Sequence, residues 1–197
     1  MFSRKIKIFS VIKSALLVVL ALAMALSFAG CNNTQDATNN TGTQTTTNNA
    51  PTTTRVPTPD TARETLNTYL EFIYNANGDV KTNIAIVYPD AMLRDYLKQH
   101  DMSEEVFIQQ LENEFVADKN RLKAGGLSYK FEIKSETAMT AEDIESYNKG
   151  LSDLGIKVSE GMTFDIEITE YVNDEVERTF TRGHDAIKIG STWHIPG

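Results

Sequence analysis

The side chains best suited to chemistry are few and far apart. The chain holds one cysteine, Cys31, and three histidines, His100, His184 and His194. Zinc sites take Cys and His at short, recurring spacings, and none of these four residues stands at such a spacing from another. No Gly-rich phosphate loop, Walker pattern or Ser-His-Asp order is present. No metal site, cofactor or catalytic residue is therefore expected. Glu142, Asp143 and Glu145 read as the acidic first turn of a helix, where they complement the positive end of its dipole. Gly125-Gly126 reads as a helix stop. His100 follows a helix end, where a cation suits the dipole. His194 alternates with Trp193 and is expected to face away from the core. Cys31 differs from all of these, because it follows Ala29-Gly30 directly at the end of an uncharged run that begins at Ser14.

The context of that run gives the thiol its meaning. Arg4, Lys5, Lys7 and Lys13 precede it with no acid among them. A basic start, a short apolar core and small residues before a cleavage point make a secretory signal peptide, expected over residues 1–30. The run is a little short for a bilayer core, which needs about 20 residues. Its end, Phe28-Ala29-Gly30-Cys31, resembles the lipobox of bacterial lipoproteins. Leu is commonest three residues before the Cys in that family, and Phe28 stands there in this chain. The resemblance implies cleavage between Gly30 and Cys31 and a diacylglyceryl group on the Cys31 sulfur. Each buried methylene contributes ~0.8 kcal/mol, and two acyl chains make a stable anchor. The expected location is the extracytoplasmic face of the cell membrane, held by lipid. No thiol would then remain for a disulfide or for catalysis.

Residues 32–60 are rich in Thr and Asn, contain no aromatic residue, and place Pro51, Pro57 and Pro59 near their end. Such a segment buries too little apolar surface to offset its ordering entropy. Together with Cys31 it is expected to form a disordered tether over residues 31–60. As a flexible coil it would span about 30 Å r.m.s.. Asn32-Asn33-Thr34 and Asn39-Asn40-Thr41 match the N-glycosylation pattern by chance in a bacterial setting. Loss of the signal peptide removes four of 19 basic residues and none of 27 acidic ones, leaving 15 against 27, a formal charge of −12. Such acidity excludes nucleic acid as a partner.

The remaining residues, 61–197, have the length of a single domain. A first helix opens on Thr61-Ala-Arg-Glu64, a capping-box pattern, and places Ala62, Leu66, Tyr69, Leu70 and Ile73 on one face. Asn77-Gly78 stops it. The apolar run Ile84–Val87 is too short to classify by period. Pro89 suits the first turn of the next helix, with Met92, Leu93, Tyr96 and Leu97 as its stripe. Ser103 caps a further helix lined by Phe107, Ile108, Leu111, Phe115 and Leu122. The period then changes to two. Leu127, Tyr129, Phe131 and Ile133 alternate with polar residues as a half-buried strand. Thr140-Ala-Glu-Asp143 caps another helix, closed by Gly155. A short strand is expected around Ile156–Val158, then a long one with Met162, Phe164, Ile166 and Ile168 on one face. Asn173-Asp174 marks a hairpin. The return strand starts with Val176 and Phe180 inward and ends with Ile187 and Ile189 inward. That change of parity predicts a β-bulge at Gly183-His184. A last hairpin at Gly190-Ser191 brings in Trp193 and Ile195. Helices followed by hairpin-linked strands define an α+β class, with N-terminal helices packed on a bent antiparallel sheet.

This order resembles the NTF2-like (cystatin-like α+β) superfamily. The segment Asp185-Ala-Ile-Lys-Ile-Gly-Ser-Thr-Trp-His-Ile-Pro looks like that superfamily's closing hairpin, and Tyr88-Pro89-Asp90 fits its small lipoproteins. The resemblance implies a cone-shaped sheet with an open mouth, lined by Tyr69, Tyr74, Tyr129, Phe164 and Trp193. The helix over residues 140–155 departs from the simplest members. The superfamily's enzymes resemble ketosteroid isomerase, with an Asp base and Tyr or acid donors in an apolar cone. The counterparts in this chain would be Tyr69, Tyr74, Tyr88, Tyr129 and Asp165, but Asp165 sits on the polar face of its strand. Most of the superfamily is not catalytic. The expected role is therefore a binding or accessory module, with a small apolar ligand in the cone, or an envelope protein or second copy on the sheet. A small isomerase- or hydratase-type enzyme is the alternative.

Overall fold

A computed structural model describes residues 56–196. The expected signal peptide, Cys31 and most of the tether lie outside the described residues, as does Gly197. The described chain is α+β, with five α-helices and one four-stranded antiparallel sheet.

Local chemistry sets the helix ends. Thr61 caps α1 (Ala62–Asn75) by accepting from the Glu64 backbone N–H. The Thr61 hydroxyl also donates to the Glu64 carboxylate at 3.0 Å. The apolar run before Tyr88 becomes α2 (Val80–Val87), because Asp79 caps it through the Thr82 N–H at 2.8 Å. Val80 and Ile84, one turn apart, bury its inner side. Pro89 stands at the N-cap of α3 (Asp90–Gln99), one position earlier than expected. Ser103 caps α4 (Glu104–Gly125), which stops where Gly126 turns left-handed at φ 60°. A full capping box between Thr140 and Asp143 opens α5 (Ala141–Gly150). A 3-10 turn (Ser152–Leu154) and Gly155 follow it.

The strands are β1 (Leu127–Ala138), β2 (Val158–Val172), β3 (Glu175–Ile189) and β4 (Thr192–His194), paired in that order. Asn173 and Asp174 both take positive φ, 51° and 68°, as a two-residue primed turn requires. The expected strand at Ile156–Val158 is not separate; β2 runs unbroken from Val158. β4 pairs only with Ile187–Ile189, so Glu175 to Ala186 form an outer edge.

The expected bulge at Gly183-His184 is absent. Register runs straight through, with Phe164 opposite His184 and Asp165 opposite Gly183. The β2–β3 irregularities lie instead between Val158 and Glu160 and between Glu170 and Tyr171. The parity change has another cause, which is that both faces of the sheet are covered at this end. On the inner face, α1 packs over Phe164, Ile166, Ile168 and Ala186. On the outer face α5 packs close, with the Tyr147 hydroxyl donating to Asp185 at 2.6 Å. Ile187 shares that outer face with Asp185, so Ala186 and Ile187 are both buried. His194 lies opposite Ile187, on the face away from Trp193 as expected, but it is buried at 6% exposure. Val176 points to solvent at 60% exposure rather than inward, since it sits at the open tip of the hairpin.

Two clusters share the apolar load. The first joins Ala62, Leu66 and Leu70 of α1 and Ile86 of α2 to the inner sheet face, Trp193 and Ile195. The second joins α2 to α4 around Val80, Ile84 and Phe107. Both ends of α1 are tied to β1. Arg63 donates to Glu136, and Asn75 both donates to the Tyr129 carbonyl and accepts from its N–H.

Candidate functional site

The first helix carries an apolar stripe at Leu66, Leu70 and Ile73, spaced to share one face. Leu66 and Leu70 are fully buried, whereas Ile73 is 42% exposed. The stripe is therefore buried against the sheet at Leu66 and Leu70 and reaches solvent at Ile73. Tyr69 meets His184 edge-on, ring centroids 5.9 Å apart. Tyr74 leans on Tyr129 and Phe131 at 5.3 and 5.6 Å. Tyr129 pairs with Glu170, and Glu170 with Arg178. Between the His184 row and the Arg178 row, β3 presents Phe180 and Arg182. They stand opposite Ile168 and Ile166, on the same inner face.

The inner face of β2 and β3 is polar at Glu170 and Arg178 and apolar at Ile166, Ile168 and Phe180. Glu170 is 8% exposed and accepts from Arg178 Nε at 2.8 Å, with the second guanidinium nitrogen at 2.7 Å. Arg178 and Arg182 flank the Phe180 ring at 5.2 and 5.7 Å from its centroid, a cation–π arrangement on each side. Arg178 is matched by Glu170. Arg182 is exposed and forms no ion pair among the described residues, although its strand position faces the core side.

Electrostatics follow from burial. Burial, then Tyr74, raises the Tyr69 hydroxyl above the usual phenol range. Burial, then Glu170, raises Tyr129. Burial lowers His184 below the usual imidazole value, against the pull of Asp185 and with the push of Arg182. Tyr69, His184 and Tyr129 are therefore neutral at pH 7.

The five residues expected to line a cone all belong to one cluster. Phe164 and Trp193 are in its buried interior, and Tyr69, Tyr74 and Tyr129 pack around it. Tyr88 belongs to the second cluster, against Tyr96 and Phe107. Asp165 lies on the opposite face of the sheet, accepting from the Ser135 hydroxyl at 2.7 Å. It cannot converge with the tyrosines. His100 leans on Tyr96 at the end of α3, ring centroids 4.4 Å apart, at the edge of the second cluster. No group of three or more His, Cys, Asp or Glu side chains able to hold a metal is gathered among the described residues. Sequence reading missed the two arginines set over the Phe180 ring and the exposure of Ile73. The signal was present, because a strand that turns Phe180 inward turns Arg178 and Arg182 inward as well.

No family model matches the chain, and no curated protein matches it. A solved structure titled the intermembrane space region of the chloroplast protein ARC6 aligns with 70% of this chain and 93% of its own length. Identity is 11% and the TM-score 0.29, a likeness too distant to carry an argument.

Proposed function

We propose that this chain is a lipid-anchored, extracytoplasmic protein of the NTF2-like type, whose domain holds a small ligand of apolar or mixed character without converting it. The lipobox-like end at Cys31 and the acidic, Thr/Asn-tethered design support the location. The observation that carries the binding role is one cluster that gathers Tyr69, Tyr74 and Tyr129 around buried Phe164 and Trp193, next to an α1 stripe that reaches solvent at Ile73. The separation of Asp165 from Tyr69, Tyr74 and Tyr129 by the thickness of the sheet favours binding over isomerase-type chemistry, which needs acid and base in one pocket.

A neutral naphthylamine dye, which brightens in apolar surroundings, tests the binding role. The protein should bind the dye, and Ile73→Lys, which puts a charge at the exposed end of the α1 stripe, should abolish the signal while far-UV circular dichroism stays unchanged. Equal fluorescence from wild type and Ile73→Lys would overturn this reading. Mass spectrometry of the native membrane fraction tests the location. It should show acyl chains on an N-terminal Cys31, and an intact residue before Cys31 would refute it.

A further inference from the structure

We propose that Asn77 is a site of self-modification: its side-chain amide is lost to a succinimide formed with the Gly78 backbone nitrogen, and the carboxylate left after hydrolysis loosens the hold of α1 on β1. The inference is independent of the ligand reading and concerns another part of the molecule. Asn77-Gly78 is the one Asn-Gly pair in the chain. Ring closure needs a backbone nitrogen that can reach the side-chain carbonyl carbon of the residue before it. A side chain on the attacking residue hinders that approach, and glycine has none. Water and its hydroxide supply everything else. A solvent base takes the Gly78 N–H proton, the nitrogen bonds to Asn77 Cγ, the Cγ–Nδ2 bond breaks and ammonia leaves. Water then opens the ring. Attack at the side-chain carbonyl gives aspartate, and attack at the main-chain carbonyl gives isoaspartate, in which the backbone runs through the side chain.

The fold leaves this pair open to the reaction. Asn77 and Gly78 are both exposed, in the connection between α1 and α2. The Asn77 N–H is held by the Glu71 carbonyl at 3.1 Å, but the attacking Gly78 N–H makes no hydrogen bond among the described residues. Every other described asparagine is followed by a residue with a side chain, and all but Asn173 stand within helices, whose backbone N–H groups are engaged. The neighbours make the product matter. Asn77 Nδ2 donates to Glu71 Oε2 at 3.4 Å, and the same oxygen accepts from Asn75 Nδ2 at 3.1 Å. Asn75 also holds the N–H and carbonyl of Tyr129 on β1. A carboxylate at position 77 only accepts hydrogen bonds, so it exchanges attraction for repulsion at Glu71. Asp79, the cap of α2, adds a further negative charge nearby. Isoaspartate also lengthens the backbone between Ala76 and Val80, which are both buried.

The test incubates the mature protein at pH 8, folded or unfolded in urea, and follows Asn77 by peptide mapping and by methylation with an isoaspartyl methyltransferase. The folded protein should convert Asn77 to aspartate and isoaspartate, faster as pH rises and within about tenfold of the unfolded rate, a small difference in barrier. The other described asparagines should stay intact over the same time. Asn77→Gln, which would have to close a larger ring, should give no product. Loss of the amide in urea alone would mean that the fold protects the pair, and the proposal would fail. Asn77→Asp reads the consequence, because it should lower the urea midpoint. In a Glu71→Gln background it should lower it less, since the repulsion is gone. An Asn77→Asp midpoint equal to that of wild type would overturn the claimed loosening of α1.

Discussion

Replacing Gly126 with alanine should cost more than replacing Gly155, although both glycines have the same backbone conformation. Their φ angles are 60° and 65°, and each ends a helical segment. A side chain in that left-handed region costs about 1–2 kcal/mol by itself. Around Gly155 an added Cβ meets nothing within 4 Å, so that cost should be the whole effect. Gly126 faces the tip of the β2–β3 hairpin. Its carbonyl accepts from the Asn173 N–H at 2.8 Å, and an added Cβ would lie 2.9 Å from Asn173 Cγ and 3.3 Å from the Asn173 backbone N. The side chain can swing aside, but the backbone cannot without breaking that hydrogen bond. Overpacking of this kind adds about 1–3 kcal/mol, so Gly126→Ala should cost about 2–5 kcal/mol. Urea unfolding followed by circular dichroism reads the midpoints at constant slope. A double-mutant cycle with Asn173→Gly should show favourable coupling, because removing the Asn173 side chain relieves part of the clash. The Asn173 backbone N stays in place, so recovery should be partial. If Gly126→Ala and Gly155→Ala cost the same, and the cycle shows no coupling, then α4 does not lean on the hairpin tip and the reasoning is wrong.

Tyr147→Phe should cost about 1–2 kcal/mol in the same assay, the value of a hydrogen bond to a charged group that keeps a second donor. Asp185 would retain the Thr163 hydroxyl at 2.9 Å. The domain should also lose stability in mild acid through His184. Burial lowers its value in the folded state, so the unfolded chain takes up the proton first. Its contribution is full above the ordinary imidazole value of about 6.5 and is lost as pH falls towards the lower folded value. Tyr69 faces this ring edge-on, while Asp185 opposes the lowering and Arg182 adds to it. Comparing urea midpoints at pH 7 and pH 5 checks the sign. Wild type should lose more than His184→Gln, and an equal loss would contradict it.

Much of this fold could be read locally. Caps at Thr61, Ser103 and Thr140, and stops at Gly126 and Gly155, follow from side-chain oxygens and positive φ, which depend on neighbours in sequence. The hairpin at Asn173-Asp174 is legible for the same reason. What sequence misread depends on distant partners. Ile187 and Ile189 suggested a bulge because alternation assumes one wet face, and α5 covers the second face at that end of the sheet. The α2 segment gave no period because eight residues hold barely two turns, and Asp79 rather than periodicity starts it. Ile73 read as one more core position but is 42% exposed, since helical spacing alone does not say how far the packing on the sheet extends. Tyr69, Tyr74 and Tyr129 pack around one cluster while Tyr88 packs in the other, a division set by which element each stands on and not legible from residue type.

The long unpaired side of β3 bears on how copies of this chain meet when crowded. Two such sides could join about a dyad only in registers that keep each face in common. Centred on Phe180, the dyad sets Arg178 against Arg182 and Glu175 against Asp185. Centred on Thr181, it sets Glu177 against Asp185. Centred on Thr179, it brings no opposite charges together. Like charges directly across a ladder repel. In two of these three registers the strand meets its twin with like charges opposed, and in the third it gains no ion pair, so its sequence disfavours joining edge to edge with a copy of itself.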